Sequence, residues 1–204
     1  PIESYDICCH IADAVLAGGI RRAALSCLFD RDDMDMIYCK SGDWFELNPQ
    51  RARCNNSAVF PRGEIDKEEF YIFWSRVKAI GTGEPSVFWT NDKNVGTNPC
   101  FEAGLDPYSF CNLSEINALL LLTQEELNEA AWAAAFIGTL QASYTDFHYL
   151  RPCWKESTEK HALIGVGITG IATDGFLSLN LEEASQLVVK TNEEISKLIG
   201  TRQA

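Results

Sequence analysis

Residues 97–102 of the chain read Thr-Asn-Pro-Cys-Phe-Glu, and residues 111–113 read Cys-Asn-Leu. The proline of the first segment has no N–H and favours an extended conformation in the residue before it. If that conformation continues, alternate side chains share a face, so Asn98, Cys100 and Glu102 would point the same way. The segment therefore predicts a thiol flanked by an amide and a carboxylate.

A second thiol, Cys111, follows eleven residues after Cys100, and Gly104 and Pro107 allow the chain to turn between the two. The alternative is a surface loop in which the two cysteines are unrelated and have no chemical role. Cysteine often serves only as a small hydrophobic residue in packing.

The pattern Asn-Pro-Cys-x-Glu at residues 98–102, with Cys-Asn-Leu at residues 111–113, resembles the finger-loop signature of ribonucleotide reductases. The short gap between the cysteines resembles the adenosylcobalamin-dependent class II enzymes more than class I, in which the gap is usually longer. Ala103 stands where the family usually has isoleucine, which changes packing and leaves the chemistry intact.

The resemblance implies a role for each side chain of this motif. Cys100 matches the cysteine that carries a thiyl radical, and Glu102 matches the carboxylate that accepts the proton of the 3′-hydroxyl. Asn98 matches the amide that orients the ribose hydroxyls, and Cys111 matches one of two reducing thiols that end as a disulfide. The second reducing thiol lies upstream in the family. We therefore expect it outside this chain and assign neither Cys8 nor Cys9.

A double glycine with two arginines, at residues 18–22, allows close approach to a ligand and supplies forked donors for a phosphate or a base. The segment resembles the specificity loop of the same family, so Gly19, Arg21 and Arg22 are candidate contacts for the ribonucleotide substrate or a deoxynucleotide effector. Solvent-exposed arginines are the alternative. Asn56 and Ser57 resemble a family element that lines the barrel, and they are further candidates for substrate contact.

The composition excludes several classes of protein. The 204 residues carry a net charge of −12, which argues against a surface that binds nucleic acid through phosphate neutralisation. No apolar run is long enough to cross a bilayer. Eight cysteines without a secretory signal predict a reducing, cytoplasmic location, and the absence of a CxxC pair or a His/Cys cluster predicts no metal site.

Helical and strand patterns alternate along the chain, which predicts an α/β fold with a parallel sheet. Capping boxes predict helices that begin after Asp66 and Thr123, and Asn180 with Glu183 predicts a third. Strands are expected at Leu25–Phe29, Ala58–Phe60, Pro85–Thr90 and Leu113–Leu122.

Two further segments have predicted burial. A helix is expected at Ser4–Leu16, with a buried face formed by Ile7, Cys8, Ile11 and Val15. The aromatic segment Tyr144–Tyr149 is expected to be mostly buried.

The resemblance implies a ten-stranded α/β barrel with the finger loop at its centre. A closed barrel needs more chain, since eight-stranded versions take about 250 residues. Residues 1–204 are therefore expected to be part of a catalytic barrel domain, with N- and C-terminal parts of the parent enzyme missing. The implied cofactor is adenosylcobalamin, and a thioredoxin-type reductant is expected to act through the missing C-terminus.

The segment 165–170 matches the dinucleotide pattern GxGxxG. The preceding apolar run is short and Gly175 would interrupt the required helix, so we interpret the match as accidental and the segment as a glycine-rich barrel element.

Three alternatives remain at this point. A class I reductase would use a separate radical-generating subunit. A cysteine hydrolase would pair Cys100 with His148 or His161, which leaves Asn98 and Glu102 unexplained. The chain could also be a nucleotide-binding module without catalytic activity.

Overall fold

The computed structural model describes residues 1–15 and 23–204, and the chain forms two compact units, Pro1–Gly104 and Leu105–Ala204. Both units contain parallel strands together with helices, so the predicted α/β class is confirmed. In the described part of the chain, no helix is long and apolar enough to cross a membrane.

The first unit is built on a three-stranded parallel sheet in the order β1-β2-β3. Its elements in chain order are α1 (Ile2–Ala14), β1 (Leu25–Asp30), α2 (Met34–Tyr38), α3 (Trp44–Leu47), a 3-10 helix (Pro49–Arg53), β2 (Cys54–Pro61), α4 (Lys67–Ile80), β3 (Ser86–Thr90) and β4 (Gly96–Thr97), followed at the unit boundary by β5 (Gly104–Leu105).

The two faces of this sheet have different surroundings. Because side chains alternate along a strand, the even-numbered residues of β2 lie on one face and the odd-numbered residues on the other. Ala58 and Phe60 are fully buried in a cluster that includes Phe73 and Val77 of α4 and Tyr5 of α1. The helices therefore cover the even-numbered face of β2, and its odd-numbered residues point to the opposite face of the sheet.

The predicted helix after Asp66 is confirmed. The Asp66 carboxylate accepts a hydrogen bond from the backbone N–H of Glu69, and Glu69 completes the capping box. The apolar stripe of this helix packs on the sheet, with ring centroids 4.8 Å apart for Phe60 and Phe73. Local capping and hydrophobic spacing agree here, which is why the sequence predicts this element well.

The predicted buried face of α1 is wrong. Tyr5, Cys9 and Ala12 are buried, whereas Ile7 and Ile11 are 60% and 62% exposed. Both faces of this helix carry apolar residues, so the spacing alone does not decide which one is buried. A partly buried ion pair favours the observed face, because the Arg51 guanidinium contacts Asp6 at 2.7 Å. Arg53 contacts Asp13 at 2.7 Å in a more exposed pair.

The second unit consists of β6 (Leu113–Asn117), a 3-10 helix (Ala118–Leu120), α5 (Gln124–Ala142), α6 (Pro152–His161), β7 (Gly165–Thr169), a 3-10 helix (Phe176–Ser178) and α7 (Leu181–Ile199). Strands β6 and β7 are parallel, and α5 packs on both strands and on α7. Thr123 caps α5 with Glu126, and Asn180 caps α7, as the sequence predicts.

The GxGxxG segment is a strand and does not form a dinucleotide-binding turn. Residues 165–169 form β7, and no helix begins directly after them. The side chains of β6 pack over these glycines: a Cβ at Gly167 would overlap the Glu115 carboxylate and one at Gly165 would lie 2.5 Å from Leu113 Cδ2, so both side chains would have to shift for a larger residue. Interpreting the match as accidental is therefore correct.

Two smaller expectations in the second unit are wrong. The strand predicted at Leu113–Leu122 ends at Asn117, whose side chain accepts a hydrogen bond from the Leu119 N–H and starts a 3-10 turn. The aromatic segment Tyr144–Tyr149 was expected to be mostly buried, but Tyr144 and Tyr149 are 56% and 69% exposed.

The Asp6–Arg51 pair gives a pH-dependent stability prediction. Hydrogen bonds from Arg51 hold the pKa of the Asp6 carboxyl below its usual value of 3.8. This pair therefore stabilises the fold above pH 3.8, and the contribution is lost as the pH falls through the lower folded-state pKa. Asp6→Asn should lower the free energy of unfolding at pH 7 by roughly 1–3 kcal/mol, measured by denaturant titration.

The difference in the free energy of unfolding between the wild-type protein and Asp6→Asn should shrink below pH 3.8, where the wild-type carboxylate takes up a proton. The control is Asp13→Asn, which removes a more exposed ion pair and should cost about 0–1 kcal/mol. Equal losses for both variants at pH 7 would contradict the assignment of Asp6 as the residue that orients α1.

Candidate active site

The predicted motif at residues 97–103, which we call the Cys100 loop, forms a tight turn. The backbone N–H of Phe101 donates to the carbonyl of Asn98 at 3.0 Å, and Phe101 has a φ of 69°. The extended conformation expected for Cys100 to Glu102 is therefore wrong. Proline in the second position favours such a turn, and the turn places the Cys100 thiol at its exposed tip.

Asn98 holds this turn closed. Its backbone N–H donates to the Ala103 carbonyl at 3.2 Å, and its side-chain Oδ1 accepts a hydrogen bond from the Ala103 N–H at 3.1 Å. The Thr97 hydroxyl adds a hydrogen bond to the Ala103 carbonyl at 2.9 Å. Asn98 is only 4% exposed, so it is part of the framework of the loop, whereas Glu102 is exposed beside the tip.

The Cys100 loop lies on the face of the sheet that the helices leave open. The side-chain amide of Asn55, an odd-numbered residue of β2, donates to the carbonyl of Pro99 at 2.6 Å. The ring of Phe101 lies 6.0 Å from the ring of Phe88 of β3. These contacts attach the loop to the middle and the edge of the sheet, so the position of the Cys100 thiol depends on β2 and β3.

A pocket of about 340 Å³ lies at the carboxyl ends of β1, β2 and β3, where parallel α/β sheets usually bind their ligands. Apolar side chains line it together with charged ones. The lining includes Leu28, Val59, Phe88 and Val95 and the charged residues Asp30, Arg31, Asp32, Glu64 and Lys93. Lys93 and Glu64 form an ion pair at 3.2 Å. Phe88 joins this pocket to the Cys100 loop.

Asn56 and Ser57 lie on opposite faces of β2. Asn56 is 1% exposed on the helix-covered face, where its amide donates to the Cys39 sulfur at 3.0 Å. Ser57 lies on the loop face with Asn55, and its buried hydroxyl has no hydrogen-bond partner among the described residues. The sequence motif did not predict the hydrogen bond from Asn55 to the Cys100 loop. The alternation of side chains along β2, which places Asn55 on the same face as Ser57, is the sequence signal that could have revealed it.

The candidates Gly19, Arg21 and Arg22 lie outside the described residues. The histidines considered for a hydrolase belong to the second unit. There, His148 is exposed and His161 Nε2 lies 3.0 Å from Asp106 Oδ2.

Cys111 belongs to the second unit and is half-buried. Its neighbour Asn112 is buried and donates from its side-chain amide to the carbonyl of Leu163 at 2.8 Å, and the carbonyl of Asn112 accepts from Gly165 at 2.8 Å. The segment is therefore joined to the start of β7.

Four of the remaining cysteines are core residues. Cys9, Cys39 and Cys54 are buried, and Cys27 packs against the same cluster. Burial raises the pKa of the Cys27 thiol to about 11 and raises the pKa values of the other three as well. These thiols stay protonated at neutral pH, which makes them poor nucleophiles. Within the described residues, no group of three or more His, Cys, Asp or Glu side chains is arranged to hold a metal ion.

Comparison with curated proteins identifies the relatives of this chain. The adenosylcobalamin-dependent ribonucleoside-triphosphate reductase of Lactobacillus delbrueckii subsp. bulgaricus is 30% identical over 192 aligned residues, covering 83% of this chain and 24% of the relative. The protein of the same name from Lacticaseibacillus paracasei is 30% identical over 197 residues, covering 87% and 25%. No protein-family model matches the chain.

The chain is related to the adenosylcobalamin-dependent ribonucleoside-triphosphate reductases. A probable member from Dictyostelium discoideum is 28% identical over 140 residues, covering 56% of this chain and 17% of the relative. The chain spans about a quarter of the length of the bacterial reductases that it matches. The resemblance drawn from residues 98–102 and 111–113 is therefore confirmed at the level of relationship.

The geometry of the Cys100 loop gives a prediction for Asn98. Asn98→Ala removes the Oδ1 acceptor, so the Ala103 amide should exchange its hydrogen about tenfold faster, as measured by hydrogen–deuterium exchange. Asn98→Asp is the matched control because it keeps an acceptor oxygen in the same place. Unchanged exchange in the alanine variant would contradict a structural role for this side chain.

Proposed function

We propose that the full-length protein that carries this chain reduces ribonucleotides to 2′-deoxyribonucleotides, with adenosylcobalamin as the cofactor and Cys100 as the radical-carrying thiol. The observation that carries the proposal is the relationship to reductases of that name, at 30% identity over 83% of this chain. The exposed positions of Cys100 and Glu102 support the finer roles of these two residues.

Cys100 has the access that the reaction requires. A thiol that takes a hydrogen atom from a substrate must reach it directly, and Cys100 is exposed at the tip of its loop. Hydrogen bonds within the loop and the contact from Asn55 hold that tip in one place. The S–H bond is also weak enough to break and re-form in each turnover, which suits a radical carrier.

The chemistry balances with one substrate and two further thiols. Loss of the 2′-hydroxyl is hard because hydroxide is a poor leaving group, and a radical at the 3′-carbon makes it feasible. Cys100, as a thiyl radical, takes the 3′-hydrogen and later returns it, and Glu102 accepts the proton of the 3′-hydroxyl. Cys111 and a second thiol supply two electrons and two hydrogens, and the products are deoxyribonucleotide, disulfide and water.

Asn98 combines a positioning and a binding role in this proposal. Its Oδ1 is engaged by the Ala103 N–H, and no described residue accepts a hydrogen bond from its Nδ2. The Nδ2 group is therefore the one that would donate to a ribose hydroxyl. On the same face of the sheet, the buried Ser57 hydroxyl is a further candidate for a substrate contact.

The pocket at the strand ends has the size and lining expected for a nucleoside. Its volume of about 340 Å³ is within the range of small-molecule sites, and Leu28, Val59 and Phe88 give it an apolar floor. A nucleoside is part of both the substrate and the adenosyl group of the cofactor, so these residues fit either one. When bound, adenosylcobalamin would supply the radical that activates the Cys100 thiol.

The remaining parts of the proposal concern the whole protein. Residues 1–204 would form part of one ten-stranded α/β barrel with the Cys100 loop at its centre. Gly19, Arg21 and Arg22 would contact the substrate or a deoxynucleotide effector, and a thioredoxin-type protein would reduce the disulfide. The described residues contain no disulfide between cysteines, which fits a reducing cytoplasmic location.

The central prediction concerns Cys100. The full-length protein, kept anaerobic with a dithiol and a ribonucleoside triphosphate, should form deoxyribonucleotide only when adenosylcobalamin is added. Cys100→Ser should abolish the product, because a hydroxyl cannot replace the weak S–H bond. Cys8→Ser is the matched control, since Cys8 is also exposed and should be dispensable.

Each other outcome of this assay has a defined meaning. Product without the cofactor would move the protein to a reductase with another radical source. Normal activity of Cys100→Ser would contradict the assigned role, and no product from the wild-type protein under any condition would favour a nucleotide-binding module.

Glu102 gives a second test of the chemistry. Glu102→Gln keeps the shape of the side chain and removes its basicity, so kcat should fall about 10²–10⁴-fold while KM stays nearly unchanged. A rise in KM at constant kcat, from steady-state kinetics, would instead assign Glu102 to substrate binding alone.

A further inference from the structure

Helix α6 presents one row of side chains to the segment that carries Cys111. Arg151, just before the helix, and Trp154, Ser157 and His161 within it recur at intervals of three or four residues, so they share a face. We call this row the contact stripe. Every member of it contacts residues 106–110, which lie directly before Cys111.

Polar contacts join the contact stripe to the start of this segment. His161 Nε2 lies 3.0 Å from Asp106 Oδ2. The hydroxyls of Ser157 and Ser109 are hydrogen-bonded at 3.0 Å, and the Ser157 hydroxyl also lies 3.5 Å from the carbonyl of Pro107. These bonds attach the segment to the C-terminal half of α6.

Aromatic contacts join the stripe to the rest of the segment. The Trp154 ring lies 5.7 Å from the ring of Tyr108 and 4.9 Å from that of Phe110. The Arg151 guanidinium lies 5.0 Å from the centre of the Tyr108 ring, within cation–π range. Phe110 also packs on Phe147 at 4.8 Å.

The two residues that flank Cys111 are thus both fixed. Phe110 packs between Trp154 and Phe147, and Asn112 is hydrogen-bonded to the Leu163 carbonyl and to the Gly165 N–H. Fixed neighbours leave little freedom for the backbone of Cys111. A disulfide requires about 2 Å between its sulfurs and a narrow range of Cα separations, so the position of this backbone limits which thiol Cys111 can join.

We propose that the contact stripe of α6 positions Cys111 for the reducing step, with His161 and Ser157 as positioning residues. The inference rests on the proposed function, in which Cys111 supplies electrons and ends in a disulfide. Neither residue touches the substrate in this proposal. They act by holding residues 106–110, and through them Cys111.

The test uses the full-length protein with His161→Ala, Ser157→Ala and the double variant. His161→Gln is the conservative variant because its amide can still donate to Asp106. Glu156→Ala is the matched control, since Glu156 is exposed on the same helix outside the stripe. Alkylation by iodoacetamide is followed at Cys111 by peptide mass spectrometry, with the half-buried Cys153 of α6 as an internal reference.

In His161→Ala and the double variant, alkylation of Cys111 should become about tenfold faster while that of Cys153 stays constant, because the segment is released and the helix is not. With a dithiol as reductant, kcat should fall about 10- to 100-fold with little change in KM. His161→Gln should restore both quantities, and Glu156→Ala should change neither.

If Cys111 of the double variant is alkylated at the same rate as in the wild-type protein, the proposal is overturned. Equal acceleration at Cys111 and Cys153 would also overturn it, because His161 would then stabilise the helix and not the segment. The alkylation rates do not depend on catalysis. If the wild-type protein forms no deoxyribonucleotide, the proposed function fails. The alkylation rates then still test whether α6 positions Cys111.

Discussion

The structure of the first unit depends on the alternation of side chains along β2. Its even-numbered residues, such as Ala58 and Phe60, pack under the helices, and its odd-numbered residues face the Cys100 loop and the pocket. A shift of one residue in register would exchange the two faces and place Asn55 in the core. Parallel pairing with β1 and β3 on both sides fixes this register, and with it the support under Cys100.

The sequence predicts the elements of this fold well where local and long-range signals agree. Asp66, Thr123 and Asn180 cap helices whose apolar stripes also face the core, so propensity and packing give the same answer. It fails at α1, where apolar residues occupy both faces and the Asp6–Arg51 ion pair, formed between residues 45 positions apart, favours the observed orientation. Spacing within the helix carries no information about that partner.

For the candidate site, the identity of the residues follows from the motif, but their arrangement does not. The proline was expected to extend the chain, whereas hydrogen bonds between Asn98 and Ala103 close it into a turn with Cys100 at the tip. The motif also gave no sign of Asn55, which holds the loop from a neighbouring strand, or of the α6 residues that surround the Cys111 segment. Such supporting contacts join distant parts of the chain and leave no short pattern.

In the proposed function, two cysteines of one chain have different tasks: Cys100 carries the radical and Cys111 supplies electrons. The most direct measurement is a single turnover of the full-length protein without external reductant, followed by mapping of thiols and disulfides. We predict about one disulfide that includes Cys111 for each deoxyribonucleotide formed, with Cys100 recovered as a free thiol. A disulfide that contains Cys100, or a free Cys111 after stoichiometric product formation, would contradict this division of roles.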